Sequence, residues 1–459
     1  MANDYFRFSH AKIQEVVYGG ISAIRKQKLH HDLAQILEDE QTHTNLNYSA
    51  TIARHYLAAG DQEKALGHLL QAGKQNASLY ANKEALSLFE EALAIIEKLP
   101  AGANGDTEKL KLEALLGIAL VYRETNEFEQ ANSHYIQAIK LARSLKERNR
   151  EIFLLSRQAE AIGILGEYEK ARELYDQAMK IALETGNLQM QLQLLNDFAK
   201  LDWWLFHQYQ AQGKHVQAME AGERILENAS RAKELAEKTK NLDELIRSYD
   251  SLGAYYESVH HDYTRALDMH EQSVAIALDQ DLKASKYGLQ KVGQIWRMKG
   301  NVEKAQKAYE QYLTWAQEIG ARWAELKGYQ CLGIMEMEQG NYDEAIRLYD
   351  MSLELSRSVV KAPHEDMETR IWKGAALEIL GKQPEAFAEY CEALKLSGNF
   401  DEHDSDTEIL LKVGRILYSH DERLYASKYL HRYLDVVSNL PAEQLEEIQE
   451  LLKKCETAD

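Results

Sequence analysis

Alanine returns along this chain at a fixed interval. Ala131 is followed forty residues later by Ala171, and Ala305 by Ala345, Ala386 and Ala426 at steps of 40, 41 and 40. Four residues after each alanine stand Tyr135, Tyr175, Tyr309, Tyr349, Tyr390 and, in the last case, Leu430. The segments GEYEKARELYDQAM, GNVEKAQKAYEQYL, GNYDEAIRLYDMSL and GKQPEAFAEYCEAL align on these two columns. Such a period belongs to one small unit repeated along an axis. The 459 residues therefore need not divide into the roughly three globular domains that their number would otherwise imply.

A second column of small residues lies upstream in each unit: Ala119, Ala159, Ala199, Gly253, Gly293, Gly333, Gly374 and Gly414. Gly166, Gly300, Gly340 and Gly381 fall between the columns, where a left-handed cap residue ends a helix. Ala171, Tyr175, Ala178 and Ala182 follow i, i+4, i+7, i+11 spacing, which is one stripe of a helix. Each unit thus reads as a helix hairpin. The small residues let the axes approach, and the tyrosine fills the space between neighbouring hairpins. Leucine at Ala171 or Ala345 would overpack that contact at a cost of roughly 1–3 kcal/mol.

Composition agrees with helix. Only Pro100, Pro363, Pro384 and Pro441 interrupt a chain rich in Ala, Leu, Glu, Lys and Gln. With 54 basic and 73 acidic residues the formal net charge is −19, a surface that repels a phosphate backbone and excludes nucleic acid as partner. No apolar run approaches the ~18 residues of a membrane span, and MANDYFRFSHAK lacks the layout of a secretion signal. Cys331, Cys391 and Cys455 are isolated, with no CxxC spacing, which points to a reducing compartment and a cytoplasmic location.

The columns and the turn glycines resemble the tetratricopeptide repeat family over residues 112 to 440. The family's usual unit is about 34 residues, so a period of 40 is similar to its long-helix subgroup. The resemblance implies an all-α, right-handed superhelical solenoid with a concave inner face. One interval departs from the rhythm. After Ala199 the next stripe is Ile225, Ala229, Ala232 and Ala236, about 14 residues late, with an insertion near 206–224. Two readings of it stand: elongation of both helices of that hairpin, or a protruding functional element.

Residues 5 to 98 are patterned differently. FRFSHAKIQEVVY, then Arg25, Leu29, His30, Ala34, Leu37 and Glu38, then ATIARHYLAAGDQEKALGHLL resemble the winged-helix-to-repeat junction of bacterial signal-transduction ATPases with numerous domains. The expected organisation is a remnant of winged-helix and connector helices over 1–48, N-terminal helical repeats over 49–99 and a linker over 100–109. An array of about eight repeats over 110–440 and a C-terminal capping helix and tail over 441–459 complete it. In those ATPases an upstream nucleotide-binding domain carries the chemistry. No GxxxxGK[ST] loop occurs here, so that mechanism is excluded for this chain.

No HExxH, GxSxG, strand-linked GxGxxG or EF-hand loop is present either. His30 and His31 flank Asp32, and His260 and His261 precede Asp262, but adjacent helix positions point apart and make a poor metal site. The expectation is a non-enzyme without cofactor or metal. What remains is the inner face. In the family it is built by the first helix of each hairpin, at positions three before, one after and four after the small residue, which share one helical face. Those positions are Asn196, Lys200 and Trp203, with Trp204 adjacent; Asp250, Ala254 and Glu257; Gln290, Gln294 and Arg297; and Gln330, Ile334 and Met337.

Amides bond an extended backbone whatever its sequence, Arg297 and Lys200 suit a carboxylate, and Trp203 offers an apolar anchor. The same residues serve equally as a wet surface, with Trp203 and Trp204 packed on the inserted hairpin. Three functions are compatible with this pattern. One is an interaction scaffold holding a protein or peptide in the groove as the sensor or docking region of a signalling ATPase or transcription regulator. The second is a stand-alone peptide-sensing regulator, and the third an enzyme with an unrecognised site.

Overall fold

In a computed structural model, the forty-residue period that starts at Arg148 resolves into two seventeen-residue helices, Arg148–Ile164 and Tyr168–Glu184, and two three-residue turns. The period exceeds the usual one because each helix is longer; the turns stay short. The structure describes residues 11–43, 48–79, 81–99, 105–279, 288–357, 362–396, 406–419, 423–437 and 442–456. Every regular element among them is a helix, 22 in all. None is long and apolar enough to cross a membrane.

Backbone chemistry fixes the turns. Gly166 has φ +83°, and its N–H donates to the Gly163 carbonyl at 2.9 Å while Glu167 N–H reaches Ile162 at 3.0 Å. Two carbonyls left over at the helix end are thereby satisfied. Gly300, Gly340 and Gly381 are likewise left-handed, and Asn126 takes the conformation with φ +59° where no glycine stands. Several second helices are then opened by a side chain: Asn301 accepts from the Lys304 N–H at 3.1 Å.

The chain divides into two compact units, residues 1–204 and 205–459. In the first, the small column is alanine: Ala119, Ala159 and Ala199 are buried, as are Tyr135 and Tyr175. In the second it is glycine, and the tyrosine of the same hairpin stands on it. A Cβ at Gly293 or Gly333 would lie 2.5 Å from Cε1 of Tyr309 or Tyr349. Tyr349 also reaches the next hairpin, sharing a core with Trp372, Ala375 and Ala376. His270 takes the aromatic place against Gly253, and Leu430 against Gly414.

The inserted stretch lengthens two helices, Leu188–Ala211 and His215–Thr239, to 24 and 25 residues around a left-handed Gly213. Of the expected linker, residues 100–104 lie outside the described residues, and the helix Gly105–Glu124 takes up the remainder. Phe6, Phe8, His10 and Pro441 also lie outside them. The last helix, Ala442–Glu456, buries Ile448 and Leu452 in the core that holds Tyr429 and Tyr433.

Candidate functional site

In the second unit, the first helices of three successive hairpins are Gly288–Met298, Arg322–Glu338 and Pro363–Ile379. They converge on a cavity of about 190 Å³. Gln290, Gln294 and Arg297 line it from the first helix, at i, i+4 and i+7. Lys327, Gln330, Cys331 and Ile334 line it from the second, and Glu368, Ile371 and Trp372 from the third; Tyr309 and Leu417 complete it. Five of the residues expected from sequence, Gln290, Gln294, Arg297, Gln330 and Ile334, are thus brought together. Lys327, Glu368, Cys331 and Trp372 were missed. Lys327 and Glu368 lie six positions before the glycine, one turn further toward each N-terminus than the offsets read, and Cys331 and Trp372 lie two positions before it, next to the first of those offsets.

The polar lining is internally matched. Lys327 Nζ donates to Glu368 Oε2 at 3.0 Å and to Gln330 Oε1 at 2.9 Å, and Gln330 Nε2 donates to the same Glu368 oxygen at 3.1 Å. Burial disfavours the Lys327 ammonium, but Glu368 and Glu365 outweigh it and hold the pKa above the ordinary lysine value. Arg297 Nη1 donates to Glu338 Oε1 at 2.8 Å. Burial pushes the Cys331 thiol up, so it is no ready thiolate at neutral pH. Trp372 is buried, its ring edge-on to Tyr425 at 4.5 Å. Both cations are paired, which leaves a wall of nearly neutral, amide-rich character.

The other expected residues are placed elsewhere. Met337 is buried in the hairpin core, where Tyr349 Oη approaches its sulfur at 3.8 Å. Asp250 Oδ1 pairs with His270 Nδ1 at 3.2 Å, and Glu257 with Lys291 Nζ at 3.2 Å. In the first unit Asn196 is buried and Trp203 half-buried. Lys200 binds Glu160 at 3.0 Å with its ammonium 5.1 Å above the Trp204 ring, and that ring covers Gly163. Glu160 also receives Arg157 at 2.8 Å and Arg123 at 3.4 Å. Burial raises its pKa, but Lys200, Arg157 and Arg123 prevail and bring it to about 2. Among the described residues no group of three or more His, Cys, Asp or Glu could hold a metal ion.

Comparison with known proteins accords with this architecture. Two models described as tetratricopeptide repeat match residues 112–145 and 328–366. An uncharacterized protein of Rhizobium meliloti (strain 1021) is 27% identical over 138 residues, 30% of this chain and only 13% of the relative. A Rap protein solved in complex with Competence and Sporulation Factor superposes with a TM-score of 0.50 at 16% identity, over 82% of this chain and 97% of that one. A Signal Transduction ATPase with Numerous Domains protein from Pyrococcus horikoshii, with a tetratricopeptide repeat sensor, gives 0.46 at 14% identity, over 85% and 55%. At such identities the likeness is one of fold. Repeats of this kind build protein-interaction scaffolds. Residues 112–145 and 328–366 are thus tetratricopeptide repeats within an all-α array of helix hairpins.

Proposed function

We propose that the second unit holds an extended polypeptide segment in the cavity between its three successive first helices, as a non-catalytic, cytoplasmic docking element. The observation that carries this reading is the convergence of Gln290, Gln294 and Gln330 on one wall beside Trp372. The half-buried Gln290 and Gln294 amides each carry a donor and an acceptor, the complement of a peptide backbone of any sequence, while Gln330 is held by Lys327 and Glu368 and fixes the wall beneath them. At about 190 Å³ the cavity is smaller than the ~300–1,000 Å³ of a typical small-molecule site. It suits one anchoring apolar side chain of a longer ligand, seated against Ile334, Ile371 and Trp372, whose backbone runs on along the amides.

The matched charges argue against a phosphate or a polyanion as ligand, since neither Lys327 nor Arg297 offers an uncompensated charge. The Rap protein solved with a factor bound gives the reading a parallel in fold. The Rhizobium relative, of which the match covers 13%, is a far longer protein and supports a docking part of a larger protein, while the Rap protein, matched over 97% of its length, is the parallel for a stand-alone regulator. A phosphate-loop domain in frame upstream of Met1 is the expected finding; an independent promoter there returns the role to a stand-alone regulator.

Selection of peptides from a displayed random library tests the cavity itself. Peptides enriched on the wild type are expected to bind at least ~10-fold more weakly to Gln290→Ala/Gln294→Ala/Trp372→Leu, with the helical spectrum retained. Equal affinity for both proteins, or no enrichment, overturns the assignment.

A further inference from the structure

The helix Ala23–His43 faces two ways. One side buries Ala34 in a core with Ile52, Tyr56 and Ala65. On the other, Leu29, Leu33 and Ile36 stand at i, i+4 and i+7 with 49%, 40% and 60% of their surface exposed. These three large apolar side chains are contiguous on one face, unlike singly scattered surface leucines, and a partner that covered them would remove apolar area from water. The charges that frame them are segregated. Arg25 and Lys28 lie toward the N-terminal end, and Asp39 and Glu40 toward the C-terminal end.

We infer that this face is a self-complementary interface through which two copies of the chain pair their Ala23–His43 helices antiparallel. A twofold axis near Leu33 sets Leu29 of one copy against Ile36 of the other. The same register places Arg25 opposite Glu40, and Lys28 next to Asp39. No shift is needed to satisfy both patterns: the apolar pairing and the charge pairing coincide. A parallel pairing would set basic end against basic end, and the flanking charges would oppose it. Asp32 sits beside the axis at the exposed edge, where it meets its own copy and weakens the contact. A reversible dimer therefore follows, with charge deciding orientation and the leucine stripe supplying most of the attraction.

Sedimentation equilibrium of the 459-residue chain up to roughly 100 µM tests the interface. The wild type is expected to dimerise, with Asp32→Asn tighter by a few-fold. Arg25→Glu/Lys28→Glu makes both ends acidic, and Asp39→Lys/Glu40→Lys makes both basic. Each is expected to lose dimer affinity at least ~10-fold, and an equimolar mixture of the two to form heterodimers that neither forms alone. Restoration on mixing also excludes misfolding as the cause of the loss. A wild type that stays monomeric at the highest concentration overturns the proposal and leaves the face to another partner. So does a dimer whose mass is indifferent to both reversals.

Discussion

The same face of the first helices is used in opposite ways by the two units. In residues 1–204 it is closed by charge: Glu160 gathers Arg123, Arg157 and Lys200 from three successive hairpins, and Asp197 accepts from Ser156 at 2.8 Å. In residues 205–459 ion pairs also join adjacent repeats, Lys327 with Glu368 and Arg297 with Glu338, but Gln290, Gln294, Gln330 and Trp372 stand beside them and a cavity is present. The difference lies in what accompanies the charges: a second and third cation on one carboxylate in the first unit, amides and a tryptophan in the second. The small column differs in parallel, alanine in the first unit and glycine in the second, where each tyrosine ring stands on bare backbone. One repeat framework therefore yields a face sealed by charge around Glu160 in one unit and a face that holds a cavity in the other, and a few side chains per hairpin distinguish them.

The largest expected effect breaks the sealed unit at Glu160. Its carboxyl is depressed from the ordinary value to about 2, so the stability it confers is present above about pH 4.5 and is lost as pH falls toward 2. That shift corresponds to at most about 3 kcal/mol at neutral pH. Glu160→Gln removes the negative charge and leaves three cations facing one another. Hydrogen exchange at pH 7 should accelerate in the helix Arg148–Ile164 and stay unchanged in Arg322–Glu338. Unaltered exchange in both helices contradicts the electrostatic account.

Next comes the glycine column. Gly333→Ala places a Cβ against the buried Tyr349 ring, which has no space to retreat, and an overpacking cost of roughly 1–3 kcal/mol exceeds the ~1 kcal/mol that alanine gains as a helix former. Thermal denaturation should show a net loss of about 1–2 kcal/mol. The reverse change in the sealed unit, Ala159→Gly, opens no clash and should cost only about 0.5–1 kcal/mol, chiefly through backbone entropy. A similar loss at both positions would mean that the two columns are interchangeable.

Two of the column tyrosines differ in the surroundings of their hydroxyls. Tyr135 Oη is buried without a hydrogen-bond partner among the described residues, while Tyr349 Oη faces Met337 sulfur. Tyr135→Phe removes an unsatisfied polar atom, so it is expected to raise stability by up to about 1 kcal/mol, and Tyr349→Phe to change it little. A destabilised Tyr135→Phe would reveal a partner for that hydroxyl.

The hairpins were legible in the sequence because their causes are local. Helical spacing of Ala171, Tyr175, Ala178 and Ala182 and the glycines Gly166, Gly300, Gly340 and Gly381 after their first helices are written within one period, and buried alanines and positive φ values answer them. The tyrosine's footing on the glycine of its own hairpin was not legible, since the alignment shows two columns and not that they touch. The site was legible by half for the same reason. Offsets from the small column found Gln290, Gln294, Arg297, Gln330 and Ile334, but Lys327 and Glu368 belong to the site through an ion pair that joins residues 41 apart. Met337 followed the same rule of offsets yet turned into the core, because its unbranched side chain could fill the space beside Tyr349.

The smallest expected effect on stability is also the sharpest on function. Gln294 is half-buried, and its Oε1 accepts from Lys291 Nζ at 3.3 Å, a lysine that keeps Glu257 at 3.2 Å when the amide is gone. Gln294→Ala should therefore leave the melting temperature within the scatter of surface substitutions, about 0.5 kcal/mol. A peptide lying along the wall loses both a donor and an acceptor there, so its affinity should fall by roughly tenfold. The equivalent truncation in the sealed unit, Lys200→Ala, should do the opposite: it removes one of the cations that neutralise Glu160 and destabilises that unit, while peptide binding by the second unit is unchanged. If Lys200→Ala rather than Gln294→Ala weakened capture, the open and closed roles assigned to the two units would have to be exchanged.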